Sequence, residues 1–380
     1  MEDAEFKEAT RQTDKKTTVL WSYGFFLLTF APVLFAVILY HLEPLDPAEL
    51  PLHQLTQPVI TPPRVNSKLL EGAEFIGAGQ LVGPEDIAYD AKTEIIYVAC
   101  ADGWIKRVFL NNSDVENWVY LGGRPLGLAF GLNQQLIVAD AYQGVLKLSM
   151  EGKVEVLTDE VEGRILKFAD GIDVAKDGMI YFTEASYKYN LSQFIFDILE
   201  GKPHGSLMSI DPVSRETKVL ARDLYFPNGL QVSPDQNSVI FCETPMRRCK
   251  KYIRAGDRKG SLESFVDNLP ILPDNIRYDG EGLYWIGCPT FAKPYWDIIL
   301  KYPILRKILA IAIKYNINLP TMEKNGGILA VDLEGKTVAH YYDPNLMMIT
   351  GGNKIGNYLY IASLHYPHIL RLDLSTHAAK

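Results

Sequence analysis

The stretch LPDNIRYDGEGLYWIG, Leu272 to Gly287, decides the fold. Pro273, Asp274 and Asn275 are turn residues, and they stand directly ahead of two short runs of alternating apolar residues. Alone, such a turn says little, but the chain repeats it. Related modules begin at Gly83 (GPEDIAYDAKTEIIYVAC), Arg124 (RPLGLAFGLNQQLIVADA) and Phe168 (FADGIDVAKDGMIYFTEA). Two more begin at Phe226 (FPNGLQVSPDQNSVIFCE) and Met348 (MITGGNKIGNYLYIASLH), which makes six with Leu272. Each reads as a turn, a strand, a second turn, then a strand of β-branched and aromatic residues. Several continue into a third strand (GVLKLSM, GSLMSIDP, GGILAVDL) and a fourth (KVEVLTD, TKVLARDL, TVAHYYD).

Four strands repeated at roughly 40 residues or more are the signature of a propeller blade. The expected fold is therefore all-β, a six-bladed β-propeller; a β-sandwich does not explain six similar units. The last module runs out after its third strand, HILRLDL, and AEFIGAG ahead of the first module is expected to supply the missing outer strand. Closing the ring in this way removes an exposed edge.

Two modules are longer than the repeat, by Tyr187 to His204 and by Thr290 to Gly326. Both insertions fall between second and third strands, a loop that emerges on the face where each innermost strand begins. They are expected to form a lid over the mouth of the central channel. The second contains KYPILRKILAIAIKY, read as a helix over residues 301–315 with Pro303 near its start. It serves as a cap on the propeller, or also touches the membrane surface or an apolar substrate.

Upstream, the run WSYGFFLLTFAPVLFAVILYHL carries no Asp, Glu, Lys or Arg and is about the length a helix needs to cross hydrocarbon. Lys7, Arg11, Lys15 and Lys16 precede it, whereas Glu43, Asp46 and Glu49 follow. The positive-inside bias predicts a type II protein with a lumenal propeller. The rival, a cleaved signal peptide, has a shorter apolar region. The predicted organisation is a cytosolic tail (1–20), a transmembrane signal-anchor (21–42), a Pro-rich stalk (43–70) and the propeller (71–380). The sequons at Asn111 and Asn190 agree with a glycosylated lumenal domain. The net charge of −8 without a long basic run argues against nucleic acid as a partner. The 47% apolar content allows a large core.

The starts of the innermost strands carry Glu85-Asp86, Leu126, Asp170, Asn228 and Asp274-Asn275. Pointed at the axis, Glu85, Asp170, Asn228, Asp274 and Asn275 form an oxygen set of the kind Ca²⁺ takes. The bland alternative is that each caps its own turn. Zinc is not expected, since no Cys/His cluster has zinc spacing. Asp140, Glu184 and Glu243, at the ends of second strands, are candidate general acids or bases. Alternatively they pair with neighbours such as Arg247 or Lys188. Cys242 and Cys249 flank a tight loop and are a possible disulfide in an oxidising lumen, whereas Cys100 and Cys288 read as buried thiols. No G-x-S-x-G elbow and no Ser-His-Asp set is visible.

The strings DILEGKPHGSLMSIDP, YFPNGLQVSPD, FCETPMRRCKKY and PDNIRYDGEGLYWIG resemble the plant strictosidine synthase-like family, from about Glu71 to the end. The animal adipocyte plasma membrane-associated proteins are similar in layout, an anchor followed by a propeller. The resemblance implies six blades and an address in the endoplasmic reticulum or vacuole. It also implies two chemistries. Strictosidine synthase condenses an amine with an aldehyde using a key Glu, whose position the resemblance matches here to Lys354, which disfavours that reaction. Paraoxonase- and gluconolactonase-like propellers are Ca²⁺-dependent hydrolases, and their metal-ligand motifs match Glu85, Asn228, Asp274 and Asn275. Asp170 stands where those proteins have Asn, and Leu126 where paraoxonases have His. The leading expectation is a membrane-anchored Ca²⁺-dependent hydrolase of small esters or lactones (arylesterase- or lactonase-like), acting on a small-molecule substrate. A non-catalytic binding or structural propeller is the main alternative, and a Pictet-Spengler condensing enzyme the third.

Overall fold

A computed structural model describes residues 25–51, 59–292, 294–317 and 324–380. The expected cytosolic tail and the first residues of the expected anchor lie outside these. Six antiparallel sheets surround one axis. Their innermost strands are Ile87–Asp90, Pro125–Phe130, Ala169–Val174, Pro227–Val232, Ile276–Tyr278 and Ile349–Ile355. The ring closes as AEFIGAG suggests: Ala73–Ile76 pairs antiparallel with Ile369–Asp373 as the outer strand of the sixth blade. The fifth blade gains an extra outer strand, Val65–Asn66, parallel to Thr337–Tyr342.

The blades hold together through the faces of their sheets. Alternate side chains of each strand point to the two neighbouring blades, as a period of two requires. Between the first and second blades, for example, Tyr97, Ala99 and Ile105 pack with Leu128, Leu136, Val138 and Leu146. Each fully buried Leu, Ile or Val contributes about 1.5–3 kcal/mol relative to exposure.

At the mouth, every innermost strand begins with the same irregularity, two residues facing one partner. The pairing slips between Pro125 and Leu128, Ala169 and Ile172, Pro227 and Leu230, and Ile349 and Gly351. In the first blade Glu85 and Asp86 share Ala99, and in the fifth Asp274 and Asn275 share Gly287, through backbone hydrogen bonds of 2.8–3.1 Å. A bulge of this kind bends the strand and re-aims a side chain. The first residue of each pair (Glu85, Leu126, Asp170, Asn228, Asp274, Thr350) thus belongs to one ring. The second is Gly in four blades; in three of them (Gly127, Gly171, Gly229) the next blade's backbone lies against it, and Gly351 instead meets the Asn275 side chain of the preceding blade. A Cβ on Gly127 would sit 2.5 Å from the Asp170 carbonyl oxygen, and one on Gly229 only 2.3 Å from the Asn275 Cα.

The described part of the expected anchor is a helix, α1 (Phe25–Leu42), long and apolar enough to cross a membrane, with none of its residues fully buried by the other described residues. The two insertions carry more helix than the sequence predicts. The first holds α2 (Phe194–Glu200), whose seven residues are too few to show a period. The second splits at Tyr302-Pro303 into α3 (Pro294–Lys301) and α4 (Pro303–Lys314) rather than running as one helix over 301–315.

The described parts of the expected stalk, residues 43–51 and 59–70, are not free linker. Leu45 is buried against Leu199 of α2 and Ala310 of α4, and Leu50 joins another apolar cluster with Phe168 and Ile198. The Ala48 amide donates to the Glu200 carbonyl at 2.9 Å. Further on, Leu69 is fully buried against the fifth and sixth blades. A Pro-rich segment has no periodicity of its own, but its apolar side chains and backbone groups still find partners here.

The ring of close approaches makes a prediction. Gly229→Ala overpacks the junction of the fourth and fifth blades and is expected to lower the unfolding free energy by about 1–3 kcal/mol. Denaturant melts of the two proteins measure this, and an unchanged midpoint would rule out the tight junction.

Candidate functional site at the mouth of the channel

Below the lid, Glu85, Leu126, Asp170, Asn228 and Asp274 line one cavity. Five of the six ring positions therefore meet there, delivered by five blades. Its walls are otherwise mostly apolar, with Phe168, Phe226, Leu272 and Met348 rising from the blades, and its roof includes Phe194 and Ile198 of α2. The first insertion covers the mouth, as its position in the module suggests. The volume open to the centre of a water molecule is about 110 Å³, room for several water-sized groups.

The polar floor is under-satisfied. The Asn275 amide donates to Glu85 Oε1 at 2.7 Å, which leaves Glu85 Oε2, Asn275 Oδ1 and Asn228 Oδ1 buried with no hydrogen-bond partner. The Asn228 amide in turn bonds Asp274. Native interiors rarely leave buried oxygens unpaired, and an unoccupied ion or water position is one explanation. Electrostatics points the same way. Burial, then the Asp86 charge, pushes Asp170 up to about 7. Glu85 and Asp274 are also raised well above the usual carboxylate range, first by burial and then by their acidic neighbours. Carboxylates crowded together out of water must take up protons or share a cation.

The donors are hard oxygens of mixed charge, which fits Ca²⁺. Among the described residues no three His, Cys, Asp or Glu side chains form a metal-holding group by themselves. A cation here therefore depends on the amide oxygens of Asn228 and Asn275, and on backbone carbonyls, as much as on carboxylates.

Beneath this floor lies a second layer. Arg277 reaches across the axis from the fifth blade to Asp86 in the first, and donates to the Leu230 carbonyl at 3.0 Å. Asp86 also accepts the Leu128 amide at 2.8 Å. This buried pair plugs the channel below the cavity. Neither Arg277 nor the sixth ring member, Thr350, stands out in the sequence as a site residue. Thr350, whose hydroxyl donates to the Glu85 carbonyl at 2.6 Å, occupies the module position of Asp170 and Asn228, which was the available signal.

The second set of acids does not reach the cavity. Glu184 pairs with Arg164 and accepts the Lys167 amide, and Glu243 pairs with Arg248 and accepts the Tyr225 amide. Asp140 accepts the amides of Tyr142 and Gln143 at 2.9 and 3.1 Å, capping its own turn. The partners differ from the expected Arg247 and Lys188. Arg247 instead lies 3.1 Å from Asp297 of α3, and Lys188 pairs with Glu200 of α2. Lys354 also lies away from the cavity, 2.6 Å from Glu281 in the turn that ends the neighbouring blade's innermost hairpin. Its charge does not face a substrate at the mouth, so the objection to an amine that rests on Lys354 has no geometric footing. Cys242 and Cys249 face each other across adjacent strands and are joined as a disulfide, while Cys100 and Cys288 are buried thiols.

A buried polar cluster fastens the lid. Asp197 Oδ1 accepts the Ser186 hydroxyl at 2.6 Å and faces His204 Nδ1 at 2.9 Å, while Glu200 accepts from Lys188 and Tyr189. Arg306 of α4 donates to the Leu199 and Glu200 carbonyls, each at 3.1 Å, and to the Ala48 carbonyl. One guanidinium therefore ties both insertions to the segment that follows α1.

Comparison with known proteins places this architecture. Solved propellers of the same build include a gluconolactonase from Xanthomonas campestris (TM-score 0.59, 18% identity, 87% of this chain and 99% of that one). Another is the calcium-binding protein regucalcin from Agrobacterium tumefaciens (TM-score 0.55, 15% identity, 81% and 95%). At those identities the likeness is one of fold. The family is set by closer relatives. The model for strictosidine synthase matches residues 170–257, and that for the strictosidine synthase-like N-terminal region matches residues 65–108. Strictosidine synthase-like 6 of Arabidopsis thaliana is 52% identical over 361 residues, 93% of this chain and 96% of that protein. The adipocyte plasma membrane-associated protein of Gallus gallus is 31% identical across 90% of this chain and 87% of its own. The chain belongs to the strictosidine synthase-like family.

The plug gives a second prediction. Arg277→Met strands the Asp86 charge and is expected to cost about 3–5 kcal/mol of stability, since breaking a buried pair leaves one partner uncompensated. The double variant Asp86→Asn, Arg277→Met is expected to recover part of that loss. Equal melts for the wild type and Arg277→Met would mean that the pair does not bridge the axis.

Proposed function

We propose that the protein is a membrane-anchored, Ca²⁺-dependent hydrolase of small ester or lactone substrates, acting at the mouth of the propeller. The observation that carries this is the set of unpartnered buried oxygens (Glu85, Asn228, Asn275), facing raised carboxylates (Asp170, Asp274) beneath an apolar cavity. Glu85, Asp170, Asn228, Asp274 and Asn275 would hold the ion. When bound, it would supply a Lewis acid that polarises a carbonyl oxygen. Leu126, Phe168, Phe226 and Leu272 would hold the apolar part of the substrate and exclude water, which strengthens electrostatic effects in the cavity. The gluconolactonase and regucalcin likenesses support the reading at the level of fold. In this reading α1 is an uncleaved type II anchor and the propeller lies in the lumen of the endoplasmic reticulum or vacuole. The exposed Asn111 and the half-buried Asn190 are the proposed glycan sites.

One observation favours a second reading, a binding or structural propeller. Glu184 and Glu243 are each held in an ion pair, and Asp140, whose Oδ2 has no partner, does not line the cavity, so none of these candidates stands as a general base at the ring.

The test is hydrolysis of phenyl acetate and a small lactone by the full-length protein in detergent, with and without a calcium chelator. Activity is expected to disappear on chelation and return with Ca²⁺. Asp274→Ala and Asn275→Ala are expected to lower Ca²⁺ affinity by at least about tenfold, in the range metal-site substitutions reach, with circular dichroism unchanged. A melting temperature that falls on chelation, without activity in any sample, would support the structural reading instead. Glycosidase treatment of the protein from a eukaryotic host is expected to shift its mass, and Asn111→Gln with Asn190→Gln to abolish the shift. A protein with no glycan at either site would count against the lumenal orientation.

A further inference from the structure

The lid has an outer face that none of the described residues covers. On α3, α4 and the turn after them, Ile298, Tyr302, Ile304, Ile308, Tyr315 and Ile317 are 46–56% exposed. Ile304, Ile308 and Tyr315 recur at helical spacing, so they lie along one stripe. Lys301, exposed, and Lys307, half-buried, lie beside it. An apolar stripe with basic flanks is the pattern of a helix lying in a membrane interface.

The connection to α1 says what covers this face. Only Glu43 and Pro44 separate the end of α1 at Leu42 from Leu45, which is buried between α2 and α4. The three residue steps from Leu42 to Leu45 reach at most about 11 Å. Glu43 pairs with Lys314 of α4 at 2.8 Å, and the Lys307 ammonium stands 4.7 Å from the ring centre of Tyr40 within α1. The end of the membrane helix is thus held on α4 by burial, an ion pair and a cation–π contact. The hydrocarbon core ends where α1 ends, so α4 lies at headgroup depth, where Tyr and Lys side chains are at home.

We propose that the mouth of the propeller faces the bilayer at close range, with the α3–α4 stripe seated among the lipid headgroups, rather than turning toward open lumen on a stalk. The partner of this surface is the lipid bilayer itself. Headgroup phosphates complement Lys301 and Lys307 beside the apolar stripe. The face opposite the lid, with the exposed turn at Val213, points away from the membrane.

The inference rests on α1 crossing the membrane as proposed above, and the experiment separates the two. Full-length protein is reconstituted in phosphatidylcholine–phosphatidylserine vesicles with a single added cysteine carrying an environment-sensitive fluorophore. The positions are Leu34→Cys in α1, Ile304→Cys, Ile308→Cys and Val213→Cys; the protein without an added cysteine controls for Cys100 and Cys288. Nitroxide-bearing lipid is expected to quench Leu34, Ile304 and Ile308 several-fold more than Val213, and aqueous iodide to show the reverse order. If Leu34 is quenched by lipid while Ile304 and Ile308 behave like Val213, the membrane-facing mouth is wrong and the anchor stands. If Leu34 is not quenched, the anchor reading fails, and this inference with it. Protection of Ile304 and Ile308 from both quenchers, with energy transfer between copies, would assign the stripe to a second copy of the chain and overturn the proposal.

Discussion

The propeller depends on a missing side chain. Where each innermost strand enters the ring, two residues face one, and in the second, third and fourth blades the second residue lies against the backbone of the next blade. Gly127, Gly171, Gly229 and Gly351 hold that position in four blades, and close approaches at Gly127, Gly171 and Gly229 leave no room for a Cβ. The bulge that creates this crowding also turns the preceding residue toward the mouth. Packing and chemistry are therefore coupled at every blade. The oxygens gather at one point because six strands gather there, and glycine at three of the junctions lets neighbouring strands come so close.

The two blades that depart from glycine are instructive. Asp86 and Asn275 occupy that second position, and each uses its side chain across the axis. Asn275 donates to Glu85, and Asp86 receives Arg277. The exceptions to the packing rule thus build the floor of the cavity and the plug below it. A polar residue at such a crowded position is held by hydrogen bonds, Asn275 through its amide to Glu85 and Asp86 through Arg277 and the Leu128 amide.

Much of the fold was legible because the blade is a repeat, and a repeat multiplies a weak local signal. Turn residues ahead of alternating strands appear six times, so their number, the closing strand and the side of the insertions could all be read. The ring Glu85, Asp170, Asn228 and Asp274 followed from module position alone. Long-range partners were not legible in this way. Arg277 and Asp86 are 191 residues apart, and the sequence around each is ordinary strand. The partners of Glu184 and Glu243, Arg164 and Arg248 rather than Lys188 and Arg247, are chosen by sheet geometry. Thr350 was overlooked because a hydroxyl among acids does not announce a ligand. Residues 43–51 read as linker because burial of Leu45 and Leu50 is imposed by α2 and α4, and the two leucines show no period.

Ring closure also has a consequence for how the protein is made. Ala73–Ile76 leaves the ribosome early, yet its partner Ile369–Asp373 is translated almost three hundred residues later. At cellular rates of about 5–20 residues per second that interval is about 15–60 s. For all of it the strand has no pairing edge, and Phe75, half-exposed even in the finished ring, is open to chance association. Five blades must wait, assembled or nearly so, for the sixth to be completed from both ends of the chain. Newly made protein of this design spends its first minute as an open ring, and this is when a chaperone has most to do.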